Sequence, residues 1–403
     1  MSLYVTMALL FGALAALQAA DAALVNFSLL PWFNGMRWLR VHFITLGALT
    51  EVLFGALPLL VARLQGKPRP AFRADIWLAL NGGIIALLVG VPLVNPVPIY
   101  AGGGLVFTAT LLLLHQLWGL RGGATAVSAG RKFYLMGLAF FLVGILIGTG
   151  LWFGWSDWLR IAVPLEAHIH ANNWGLMSLV FAGLIVDLYP RWAKRPLARP
   201  RSVGAIFWLM SAGALLLVLG PWFNSLLFTV PGLVLHLSAT GLLLANMVQP
   251  LWGDRAAWTP GLAHLITGYT WIIAPLLVAP FIILGVENVP GPAIESNAPQ
   301  ALIYGWLLQV GFAILPYFFR RLLRPGRPAA LGGSWLSLAA AHLGGLFLWL
   351  GIFLVDGRAL LHGLAYALWT MALLPFVSEL YGIARDGLAH WEGVGETAVS
   401  PTD

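Results

Sequence analysis

The chain has 403 residues, 60% of them hydrophobic and only 9% charged, with a formal net charge of +7 and a mean hydropathy of +0.87. A soluble domain carries about 25% charged residues, so this composition excludes a soluble fold; the basic residues sit in short loops between apolar spans, which counts against nucleic-acid binding. There is no cysteine, which excludes disulfides, thiolate metal sites and thiol catalysis together.

The first apolar stretch, 3–23, has no basic leader and runs on into further apolar segments, unlike a cleaved signal. Further stretches follow at 38–62, 75–95, 101–119, 133–154, 165–189, 203–221, 227–249, 261–285, 300–319, 333–354 and 359–381. Each reaches about the 20 residues that cross a bilayer as a helix, and none shows the alternation of a barrel strand. The expected fold is therefore an all-α polytopic membrane protein of twelve transmembrane helices, followed by a polar tail over 385–403.

Three stretches align with one another: His42 to Gly47 and Arg63, His170 to Gly175 and Arg191, and Gln300 to Gly305 and Arg321. In each, a glycine stands at +5 and an arginine at +21, with a proline (Pro58, Pro190, Pro316) before the arginine. The starts lie 128 and 130 residues apart, too far for a solenoid module but suited to a multi-helix membrane repeat. Three pseudo-repeats of four helices are expected, at about 1–120, 130–249 and 260–384, with Trp77, Trp208 and Trp335 each opening a third helix.

Loops after even-numbered helices, with the tail, hold 18 Lys and Arg; loops after odd-numbered helices hold four, Arg37, Arg40, Arg160 and Arg358. By the positive-inside rule both termini are expected to be cytoplasmic, which puts His42, His170 and Gln300 toward the outer leaflet. Aromatic belts are expected at Trp32 with Phe33, Trp152 to Trp158, and Trp222 with Phe223, and 285–299 reads as the longest external loop.

Ionisable groups at lipid depth are functional candidates, and imidazole is the usual protein ligand of haem iron and copper. His168 and His170 carry the most specific local signal. Spaced i, i+2, they point about 200° apart on a helix, so one helix can serve two neighbouring compartments but cannot easily chelate one metal; ligation is favoured over the alternative, hydrogen bonding across helices. His42 recurs at the place of His170 in the first repeat. His236, His342 and His362 lie deeper than His115 and His264, for which a structural role is expected. Glu51, mid-span, is the proton-relay candidate, with Gln309 at its place in the third repeat. Glu166, Asp187, Asn172 and Asn173 are further intramembrane polar groups, and Gly47, Gly175 and Gly183 offer close helix approach.

Tyr4 to Gly12 through Arg40-Val-His42 resembles the first two helices of the haem–copper oxidase catalytic subunit, particularly its cbb3-type and nitric oxide reductase branch. Glu166-Ala-His-Ile-His170 through Leu188-Tyr-Pro-Arg191 is similar to that family's His-x-His, Gly, Tyr-x-x-Pro-Arg pattern. The chain departs from the family at the seventh helix, where 207–220 has no His-His pair for copper, at the tenth, which has Ala298-Pro-Gln300, and at Trp174, where a tyrosine would stand. The NnrS family of haem-associated twelve-helix membrane proteins is a second resemblance. These resemblances imply haem b held by His42 and His170. His168 would face a second compartment, where it could hold another haem or metal with His342 or His362 opposite; the missing pair counts against copper. They also imply a bacterial inner-membrane location, partner respiratory subunits or a cytochrome donor, and electron transfer or nitric oxide or oxygen binding or reduction. Whether the chain is itself an oxidoreductase stays open. A transporter or channel, for which Pro275 and Pro280 are the best helix-breaking signal, and a structural subunit of a respiratory complex are the alternatives.

Overall fold

The computed structural model describes residues 3–30, 37–120, 128–323 and 328–398. Trp32, Phe33, Arg121, Arg324, Arg327 and the end of the tail lie outside the described residues, as does the side chain of His390. The described chain is helical without strands: α1 Leu3–Asn26, α2 Arg37–Leu64, α3 Ala74–Gly90, α4 Pro96–Gly119, α5 Arg131–Gly150, α6 Pro164–Trp192, α7 Pro200–Phe223, α8 Leu226–Leu251, α9 Pro260–Ile283, α10 Gly291–Leu323, α11 Trp335–Phe353 and α12 Arg358–Ala398. Eleven of these are long and apolar enough to cross a membrane, and α3, with 17 residues, is the short one. The protein is an all-α, multi-pass membrane protein.

Two boundaries differ from the sequence reading. Helix α10 starts at Gly291, inside the stretch expected as a loop, with a proline in its first turn, where a missing N–H costs nothing. Helix α12 runs through the expected tail as far as Ala398.

The chain divides into two compact units, 1–13 with 42–250, and 14–41 with 251–403. In the first unit α6 is the core helix, with 83% of its apolar window buried; in the second α10 has that place, with 78%. The other helices leave an apolar face outward, as lipid contact requires: Leu227 is 83% exposed and Trp208 66%.

One local geometry occurs three times. Just after His42, after His170 and after the turn of Gln300, helices α2, α6 and α10 widen from α to π form, over Phe43–Leu49, Ala171–Met177 and Ile303–Leu307. A π segment carries an extra residue per turn and leaves backbone carbonyls poorly satisfied. Side chains one turn on answer this: Thr50 donates to the carbonyls of Leu46 and Gly47, Ser178 to Asn173 at 3.0 Å, and the Gln309 amide to Gly305 at 2.5 Å. Within each segment the motif glycine meets an aromatic ring. A Cβ on Gly47 would stand 2.7 Å from Phe11, one on Gly175 2.4 Å from Phe140, and one on Gly305 2.5 Å from Trp271.

The hairpins α3–α4 and α7–α8 also pack on glycine. Gly83 sits against the Gly102 carbonyl and Val106, Gly213 against the His236 backbone, and Gly90 and Gly220 against Ile99 and Thr229. In the second unit Gly344 and Gly351 of α11 sit against Trp369 and His362 of α12. The step from first to second glycine is seven residues in all three hairpins. In lipid, where tails are as apolar as Leu, such close backbone approach is what drives helix pairing.

Polar clamps hold the helix ends. Asp187, near the end of α6, accepts from Ser128 at 2.7 Å, the Gly130 N–H at 2.9 Å and the Tyr134 hydroxyl at 2.9 Å, fixing the start of α5. Glu379 of α12 accepts from Arg320 at 2.5 Å and from the Gly333 N–H at 3.0 Å, fixing the loop before α11. Asn246 of α8 is 1% exposed; it accepts from the Arg199 N–H at 2.7 Å and donates to Ser202 at 2.9 Å and the Leu242 carbonyl at 2.8 Å. Asn246→Ala removes the side-chain bonds to the Arg199 N–H, Ser202 and the Leu242 carbonyl, and each such bond is worth about 0.5–1.5 kcal/mol net. A fall of that size in the stability of the detergent-solubilised protein is expected; a midpoint equal to wild type would show the staple to be idle.

Candidate functional site

The residues singled out around His168 gather in the first unit. The chain enters α6 along the end of α7, the Ala162 and Val163 N–H groups bonding the carbonyls of Trp222 and Pro221 at 2.9 and 3.0 Å. Ala167, fully buried with Ile147 and Ile161, seats the first turns of α6 on α5, and His168 and His170 then take different faces.

His168 faces α5 and α2. Its Nδ1 lies 2.8 Å from the Gly144 carbonyl; since a carbonyl only accepts, Nδ1 carries the proton and Nε2 keeps the lone pair. The ring fits because Gly148 has no side chain: a Cβ there would meet His168 Cε1 at 2.6 Å, and one on Gly144 would meet the Asn172 amide at 2.5 Å. Asn172 donates to the His168 carbonyl at 2.9 Å. The ring of His42 lies opposite, with centroids 6.5 Å apart and planes within 23°.

His170 takes the other side. Its Nδ1 meets the Leu217 carbonyl of α7 at 2.5 Å, and its Nε2 lies 3.6 Å from Glu166 one turn back. Trp174 separates it from the fully buried His236, the rings of Trp174 and His236 meeting edge to face at 5.2 Å. The residue brought to His42 is thus His168, and His170 serves the α7 side.

Two further histidines are tied into the fold of the second unit. His342 Nδ1 accepts from Trp271 at 3.1 Å and its Nε2 meets the Thr267 hydroxyl at 2.8 Å; both nitrogens are engaged, so the ring has no lone pair to offer a metal. His264 meets Gln309 and Ser337, each at 3.1 Å. His362 lies on α12, its Nε2 buried with no hydrogen-bond partner.

Glu51 is fully buried on α2, and neither of its carboxyl oxygens has a hydrogen-bond partner. Asn81 of α3 stands close by, its Oδ1 also unsatisfied, as is the indole N–H of Trp77 one turn before it. This concentration of unanswered polar atoms inside apolar helices is the second unusual feature of the first unit.

Sequence reasoning did not reach the Gly144 carbonyl, Gly148 or the π segments. The glycines of 144–150 were visible as letters, but which imidazole they seat is decided by α5, not by α6.

Among the described residues no group of three or more His, Asp or Glu side chains converges as a metal site. Two imidazoles alone do not complete a zinc or copper centre, which takes three or four protein ligands. No protein-family model matches the chain, and no curated protein is similar to it in sequence.

Proposed function

We propose that this protein binds a b-type haem, which His42 and His168 would hold, and that it serves electron transfer. The carrying observation is the facing pair of rings, 6.5 Å between centroids and 23° between planes. The donor set fits the group: a porphyrin supplies four nitrogens, so two histidines suffice where a bare metal would need more. The Gly144 carbonyl holds the Nδ1 proton of His168 and so directs Nε2 outward, the usual arrangement behind a ligating imidazole.

When bound, the haem supplies reversible one-electron chemistry. The chain's own residues fix what is done with it. With both imidazoles engaged in holding the group, the residues would favour electron transfer over binding of a diatomic gas. The pairing departs from the one that the family resemblance suggests, His42 with His170, and the resemblance to a diverged haem–copper oxidase subunit is carried over as part of the proposal. Three four-helix copies, a bacterial inner-membrane location with cytoplasmic termini, and a cytochrome or respiratory-subunit donor complete it; the thrice-repeated π segment and its glycine–aromatic contact support the copies. A reduced-minus-oxidised absorbance spectrum of the purified protein tests the reading: a b-type band is expected, and a featureless spectrum from protein expressed with ample haem would end it.

One observation favours transport as a second reading, the orphaned carboxyl of Glu51 beside Asn81. Helix α9 is also interrupted at Gly268 and Tyr269, the broken-helix form seen in transporters. On that reading Glu51→Gln stops proton or cation flux into liposomes while leaving the helical content unchanged. Equal flux in wild type and variant would exclude it.

A further inference from the structure

Three of the four basic residues that the sequence places after odd-numbered helices, Arg37, Arg40 and Arg358, converge in the second unit. On α12, Arg358, His362 and Tyr366 follow at i, i+4 and i+8, forming one stripe. Arg40 lies over the Tyr366 ring, 5.3 Å from its centroid. Arg37 lies within electrostatic range of Tyr366 and Arg40, and His362 lies within range of all three arginines. Arg358 donates from Nε to the Gly351 carbonyl at 3.1 Å, and His362 packs on that same glycine, where a Cβ would approach its ring to 2.7 Å. The Tyr366 hydroxyl is spent on Gln300.

Two nitrogens in this group have no partner: Nε of Arg40 and Nε2 of His362 are both buried without a hydrogen bond. Three like charges brought together at a helix end repel one another, and arginine is the side chain suited to gripping an oxyanion by two N–H groups at once. At the depth of helix ends in a bilayer the abundant oxyanion is the lipid phosphate, and basic pockets between transmembrane helices bind such head-groups.

We propose that Arg37, Arg40, Arg358 and His362 form a phosphate-binding site that holds the head-group of an anionic phospholipid. The site is independent of the haem reading, and its chemistry admits free phosphate as the other source.

The full-length protein in detergent is titrated separately with phosphatidylglycerol, phosphatidylcholine and inorganic phosphate, following the unfolding midpoint and native mass spectra. Phosphatidylglycerol is expected to raise the midpoint and remain bound, and phosphatidylcholine to do neither. Arg40→Gln with Arg358→Gln weakens the binding roughly 30-fold, and the exposed Arg255→Gln leaves it unchanged. His362→Asn is the milder variant should the double variant fail to fold, and is also expected to weaken it. A midpoint shift from inorganic phosphate as large as that from the lipid supports the site and assigns it to the free anion; a shift from the lipid alone assigns it to the head-group. Equal binding of both lipids with no response to phosphate, or an equal loss in Arg255→Gln, would overturn the proposal.

Discussion

On the haem proposal, His168→Ala is expected to remove a b-type absorbance from the purified protein, with haem content falling by roughly 100-fold or more, since even outer-shell partners of a ligating histidine are worth 10–100-fold in affinity. His42→Ala gives the same loss, because both imidazoles would hold the group. His170→Ala retains the spectrum, because its ring turns to the α7 side with Nδ1 on the Leu217 carbonyl, while the ring opposite His42 is that of His168. A finer test leaves both ligands in place. Gly148→Ala puts a methyl group 2.6 Å from His168 Cε1, so the ring must turn and the reduced band shift or broaden, with the protein still folded by circular dichroism. Should His170→Ala lose the haem and His168→Ala keep it, the facing pair described above is not the ligand pair.

That contrast also shows what the letters of the sequence carry. The membrane class and the twelve helices were legible because apolar runs of span length have few alternatives in lipid. The threefold motif was legible because His42, Gly47 and Arg63 repeat at fixed offsets. The partner of His42 was not. Equivalence by offset names His170, whereas the facing ring is His168, two residues earlier and on another face of α6. Which face looks toward α2 depends on how α6 is rotated against α5. That rotation is set by absent side chains at Gly144 and Gly148 and by one carbonyl, and a carbonyl is the same in every residue. The π segments were hidden for a related reason: an extra residue in a turn has no composition of its own. Only their consequences are visible, as the hydroxyl or amide of Thr50, Ser178 and Gln309 placed where a loosened carbonyl needs a donor. Similarly, Asp187 read as an intramembrane carboxylate in sequence, yet its three donors make it a clamp for the start of α5.

Gly175→Ala is expected to destabilise the protein even though alanine is the better helix former. The propensity gain is at most about 1 kcal/mol. Against it, the added Cβ would stand 2.4 Å from Cγ and 2.5 Å from Cβ of Phe140, a ring only 7% exposed. Because Cβ of Phe140 belongs to the root of the side chain, no rotamer clears the clash, and α5 itself must move away from α6. Overpacking of this kind costs about 1–3 kcal/mol, so the balance is a net loss. Gly305→Ala should be worse than Gly47→Ala, because Trp271 is held on two further sides: Gly345 lies against its six-membered ring and its N–H is bonded to His342. Gly104, whose Cβ would meet nothing within 4 Å, provides the comparison, and Gly104→Ala should be neutral or mildly stabilising. Adding Phe140→Ala to Gly175→Ala should recover part of the clash, leaving the pair less than additive. Unfolding midpoints of the four glycine variants, Phe140→Ala and the double variant, read in one detergent, decide it. If Gly175→Ala is as stable as Gly104→Ala, the close contact between the motif glycine and its ring does not hold the two helices together.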